Sequence, residues 1–180
     1  MQKISDKKKK LIIFLSLLII SFVLDMGSKT WANATLSQKY LNPSVQHPFS
    51  FYLNLAYNKG AAFSLFSNVP GGRWILSIFG LFAMGFIYYL YKRPESDNKL
   101  FLYGLGLVGG GALGNIVDRI IFGHVTDFIQ VWVHPSIKIA WPWPTFNVAD
   151  VVLLIGISLM MLFSLTYKES EKEKDGKQGE

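Results

Sequence analysis

The chain has 180 residues, 51% of them hydrophobic and 17% charged, with no cysteine and a formal charge of +6; its mean hydropathy is +0.30. Soluble domains average roughly 25% charged residues, and here the apolar residues gather in blocks long enough to cross a ~30 Å hydrocarbon layer, which argues against a water-soluble enzyme. The missing thiols exclude disulfides, Cys nucleophiles and Cys-type metal sites. The basic excess sits at the ends of the apolar blocks, where it fixes membrane orientation rather than gripping nucleic acid.

The first predicted span covers about residues 11–31, behind the run Lys7 to Lys10. Asp25 and Lys29 lie one helical turn apart and so share a face. A cleaved signal peptide would also begin this way, with Ala32-Asn33-Ala34 as the cut. The charged pair between the apolar tract and that cut favours an uncleaved helix. Residues 32–73 follow as a polar outer loop containing Pro43, Pro48 and Pro70. Phe51, Leu53 and Leu55 alternate with Tyr52 and Asn54, the period-two pattern of a half-buried strand. A loop of about forty residues is an expected carrier of function.

Spans two to four are predicted at about 74–91, 100–116 and 146–167. Tyr88, Tyr89 and Tyr91 give the second an aromatic belt before Lys92 and Arg93. In the third, Gly106, Gly110 and Gly114 recur every four residues, the spacing that lets membrane helices approach closely. A second outer region, 117–145, is rich in Trp and Pro, and the tail 168–180 has no apolar anchor and reads as disordered. Twelve of the eighteen Lys and Arg residues fall in the two tails and the loop joining spans two and three. The positive-inside rule then puts both termini in the cytoplasm and both large loops outside.

Outside the cytoplasmic segments the carboxylates left are Asp25, Asp118, Asp127 and Asp150, all at the outer ends of spans. Charges there are costly and need a partner or a task. Asp25 has Lys29, and Asp118 adjoins Arg119 with Asn115 a turn before. Asp127 and Asp150 have no Lys or Arg within a turn in sequence. Two carboxylates brought together divide one proton, which equips one as general base and the other as general acid. From the residues alone a second reading stays open: Asp127 caps a turn and Asp150 pairs with Arg119. The histidines His47, His124 and His134 lack metal-ligand spacing, so neither a metal nor a cofactor is expected.

Four stretches then carry a resemblance. They are Asn54-Leu-Ala-Tyr-Asn58-Lys-Gly60-Ala-Ala-Phe-Ser64, Gly110-Gly-Ala-Leu-Gly-Asn115-Ile-Val-Asp118-Arg119, Gly123-His-Val-Thr-Asp127-Phe128 and Phe146-Asn147-Val-Ala-Asp150. In this order, between four apolar segments, they resemble the motif series of bacterial lipoprotein signal peptidase, or signal peptidase II; Met26 and Gly27 depart from the family's first motif. The resemblance implies an all-α integral membrane protein of four transmembrane helices with a small extracytoplasmic β-rich subdomain and a short surface helix.

It also implies an aspartic endopeptidase of the bacterial inner membrane that cuts prolipoproteins before a diacylglyceryl-modified cysteine at the outer face. Asp127 and Asp150 would be catalytic. Asn58, Gly60, Asn115, Arg119 and Asn147 would surround the substrate, with Asp25, Lys29, Asn54 and Asp118 as structural polar residues. Implied partners are prolipoproteins and membrane lipids, with globomycin as an inhibitor; a monomer suffices and nucleic acid is not expected. Residues 60–66 would form an amphipathic lid over the cleft, the other reading being a fixed surface anchor. A transporter or channel with an Asp/Arg-lined path, or a lipoprotein-binding scaffold, are the competing readings.

Overall fold

The computed structural model describes residues 4, 6–38, 49–60, 69–133 and 143–178. Helix α1 spans Lys7–Thr35, strand β1 Phe49–Asn58, α2 Gly72–Lys92, α3 Lys99–Ile121, β2 Val125–Val133 and α4 Val148–Gln178, with a short 3-10 turn at Pro94–Asp97 before α3. Among the described residues, four helices are long and apolar enough to cross a membrane, counting Val148–Tyr167 of α4. The expected architecture, four spanning helices with a small β element, is the one found.

Helix α3 is central: 56% of its most apolar stretch is buried, against 11% in α1 and in α2 and 17% in α4. Its glycines account for this. A Cβ on Gly110 would run into the backbone of Leu18 and the side chain of Ser21 in α1, and one on Gly111 into the backbone of Ala149 in α4. The spacing read from the sequence therefore serves packing, with α1 and α4 seated on different faces of one glycine-rich helix. Near the other end, Phe101, Leu105, Ile87 and Phe163 tie α2, α3 and α4 into an apolar cluster, with the Phe101 and Phe163 rings meeting edge to face at 5.2 Å.

Several boundaries differ from expectation. Helix α1 starts at Lys7, not near residue 11, because Asp6 caps it by accepting hydrogen bonds from the amides of Lys8 and Lys9 at 2.8 and 3.3 Å, the usual task of an aspartate at that position. Helix α3 continues to Ile121, so Asp118 and Arg119 belong to the helix and not to the loop predicted from residue 117. Helix α4 runs to Gln178, where a disordered tail was expected. The Lys and Glu residues that make this tail polar are also strong helix formers, so a helix already begun continues through them.

Strand β1 pairs antiparallel with β2, with Ala56 opposite Asp127 and a register shift between Leu53 and Ala56. The predicted alternation holds only in part. Leu55 is buried with Ala32 and Phe128, whereas Phe51 and Leu53 are 73% and 55% exposed. The irregular step in the ladder turns Leu55 alone toward α1, as a bulge does. Strand β2 lies in a tract read only as turn-rich. A further backbone bridge joins Ile129 to Phe146, which seats the start of α4 beside β2.

Candidate active site

Lys29, Asp25 and Asp118 come first because they hold the helix ends together. Lys29 is 2% exposed, Asp25 0% and Asp118 1%. The Lys29 ammonium sits 2.7 Å from Asp25 and 3.2 Å from Asp118, and donates to the Asn115 side-chain carbonyl at 2.9 Å. Two carboxylates and one hydrogen-bond acceptor thus surround the ammonium, which is what makes a buried lysine tolerable. Asp25 accepts from the Ala149 amide at 2.8 Å, so α1 satisfies an otherwise open N–H of the first turn of α4. Asp118 accepts from the Thr126 amide at 2.9 Å, which fixes the start of β2. Its cation is Lys29 of α1, not the neighbouring Arg119.

These anchors deliver Asp127 from β2 and Asp150 from α4 to one cavity of about 330 Å³, which Asn58, Asn115, Arg119, Trp143, Thr145 and Phe146 also line. Asn147 precedes α4 and exchanges hydrogen bonds with Asp150. The Asp150 amide donates to the Asn147 side chain at 3.1 Å, and the Asn147 amide donates to the Asp150 carboxylate at 3.1 Å. This is a capping box built from Asn and Asp. The other Asp150 oxygen accepts from Asn115 at 3.2 Å. Asp127 accepts from Asn147 at 2.7 Å and from Asn58 at 3.3 Å.

Neither carboxylate makes an ion pair among the described residues. The second reading left open by the sequence, Asp127 as a turn cap and Asp150 as the partner of Arg119, is not the arrangement found. Burial, followed by the charge of Asp150, pushes the Asp127 carboxyl up to about 7, against the opposing hydrogen bonds from Asn147 and Asn58. A carboxyl that keeps a proton near neutrality can serve as an acid there.

Arg119 donates to the backbone carbonyls of Asn115 and Gly60 at 3.2 and 3.1 Å, while its buried Nε has no hydrogen-bond partner among the described residues. The Asn58 side-chain carbonyl accepts from the Gly60 amide at 3.0 Å, closing the turn after β1. Of the residues the resemblance assigned to substrate, Asn58, Asn115 and Arg119 face the cavity, while Gly60 and Asn147 brace them. Asn54 stands apart, bonded across the sheet to Gln130 at 3.4 Å. Trp143, Thr145 and Phe146 had been noted only as part of an interfacial tract or a motif, since no local pattern tells that they face a cavity. The proposed lid beyond Gly60, His47 and His134 lie outside the described residues. No group of three or more potential metal ligands occurs among the described residues, and the amide-rich donor set offers no reason to place one.

A family model described as signal peptidase (SPase) II matches residues 17–166. The chain is 43% identical over 112 residues to a lipoprotein signal peptidase of Janthinobacterium sp. (strain Marseille), covering 62% of this chain and 64% of that one. It is 44% identical over 116 residues to the lipoprotein signal peptidase of Ralstonia nicotianae, covering 64% of each. The matched region thus spans a little under two thirds of the length of these relatives. A bacterial membrane enzyme solved in meso at 2.3 Å resolution shares the fold, with a TM-score of 0.69 at 24% identity and 96% of each chain covered. Another, solved at 1.9 Å, gives 0.64 at 23% identity over 90% of this chain and 96% of that one. With the family model running from α1 into α4 and through every residue of the cavity, the chain belongs to the signal peptidase II family.

Proposed function

We propose that the chain is an aspartic endopeptidase of the bacterial cytoplasmic membrane that removes signal peptides from prolipoproteins, cutting before a cysteine that already carries diacylglyceryl. One observation carries this reading: Asp127 and Asp150 border one cavity, each held by amide donors and neither in an ion pair among the described residues. Such a pair retains one proton between them, the state an acid–base peptidase needs.

Asp127 is the member whose surroundings favour the proton, although the titration belongs to the pair. Protonated Asp127 polarises the scissile carbonyl, and Asp150 takes a proton from the attacking water. The tetrahedral intermediate then collapses, the C–N bond breaks and the leaving amine is protonated from the pair. Asn115, Asn147 and Asn58 hold both carboxylates in place, and Arg119 lines the cavity beside them. With the basic tails inward the cavity faces outward, where the cleavage site of an apolar signal helix would emerge.

The test is to incubate purified protein in detergent with a prolipoprotein, with and without the diacylglyceryl group. Release of signal peptide from the lipid-modified form, blocked by globomycin, is the expected result. Equal cleavage of both forms would remove the lipid-dependent substrate assignment, and cleavage of neither would remove the peptidase.

A further inference from the structure

A second cavity, of about 640 Å³, lies at the opposite end of the helices, where Lys7, Lys10, Lys92 and Arg93 face a single lining carboxylate, Asp97. From the dimensions of α3, this is roughly 30 Å from the aspartate pair. The charges are unevenly matched. Lys10 is bound to Asp97 at 2.7 Å and lies over the Tyr91 ring at 5.0 Å. Arg93 has Glu95 at 3.6 Å. Lys92 stacks on Tyr88 at 5.3 Å, and neither it nor Lys7 makes an ion pair among the described residues. Asp6, the other nearby acid, is turned to the backbone of α1.

The walls are of two kinds. Below the cations, Leu11 and Tyr88 line the cavity, and Leu11 leads one helical turn along α1 onto the exposed Leu15. Both helices pack on α3 and meet at this end where Tyr91 of α2 lies against Phe14 and beneath Lys10 of α1, so the apolar track open to the hydrocarbon layer runs along the exposed Leu11 and Leu15 of α1. Phosphate needs cations, and acyl chains need an apolar track continuous with them.

We infer that this cavity binds an anionic phospholipid of the cytoplasmic leaflet, its phosphate between Lys7 and Lys92 and an acyl chain along Leu11 and Leu15 of α1. The leaflet rests on the orientation proposed above; the binding itself does not depend on cleavage.

The full chain in detergent would be titrated with phosphatidylglycerol or phosphatidylcholine and read by native mass spectrometry. One phosphatidylglycerol should stay bound, and phosphatidylcholine should not. The double variant Lys7→Gln/Lys92→Gln should bind about tenfold or more weakly, since each cation near a lipid surface contributes measurably to anionic attraction. The variant Lys8→Gln/Lys9→Gln, whose side chains are exposed outside the cavity, should bind as the parent does. Equal retention of both lipids, or undiminished binding by the first variant with its melting temperature unchanged, would overturn the inference. Displacement by millimolar inorganic phosphate would show a free-anion site and overturn the lipid assignment.

Discussion

Two pairs of carboxylates lie within a few turns of one another and are treated in opposite ways. Asp25 and Asp118 share Lys29 and also accept backbone amides of α4 and β2. Asp127 and Asp150 receive side-chain amides from Asn58, Asn115 and Asn147 and make no ion pair among the described residues. The first arrangement fixes charge and so fixes architecture. The second orients the carboxyls without discharging them, which leaves a proton free to move. Asn115 joins the two, accepting from Lys29 and donating to Asp150.

That contrast is broken most forcefully at Lys29. Lys29→Met strands two buried carboxylates and releases the Asn115 carbonyl, and removing one partner from a buried ionic cluster costs about 3–5 kcal/mol. A large drop in melting temperature in detergent is expected, with loss of folded protein at the upper end. An unchanged melt would mean that the cluster does not hold the helix ends.

A smaller effect separates the pairs by pH. Asp127 holds its proton to about 7 when folded, against an ordinary 3.8, so its contribution to stability is complete below the ordinary value and is lost as pH rises through about 7. Unfolding measured from pH 4 to 9 should show that decline, and Asp127→Asn should flatten it. A profile identical in the variant would place the titration elsewhere.

The smallest effect is expected at Asn147. Asn147→Ala removes the cap of α4 and a donor to Asp127, with a cost of roughly 1 kcal/mol for the cap. The lost donor had opposed the rise in the Asp127 carboxyl, so the alkaline limb of the cleavage profile should move to higher pH. A stability loss without that movement would make Asn147 a cap and nothing more.

The comparison also explains what could be read from the chain alone. The four spans follow from apolar blocks, and the Asp25–Lys29 pair follows from helical spacing, because both are local. The glycine spacing pointed to close packing, though which helix meets which face depends on partners distant in sequence. Strand β2, Val-Thr-Asp-Phe-Ile-Gln-Val-Trp-Val, holds a β-branched and aromatic run that went unread behind the Trp and Pro residues that follow it. The pairing of Lys29 with Asp118 was hidden because its partners stand far apart in the chain, and adjacency to Arg119 suggested the wrong cation. The exposure of Phe51 and Leu53 was hidden by a register shift that no alternation pattern reveals.

The central claim is that the cation-free pair performs the cleavage. Its most direct test is the rate of signal-peptide release from a lipid-modified prolipoprotein by Asp127→Asn and Asp150→Asn, each verified as folded by its melt. Positioned acid–base groups contribute about 10²- to 10⁴-fold, so each variant should lose at least that factor while keeping or gaining stability. Cleavage at the parental rate by either folded variant would contradict the account.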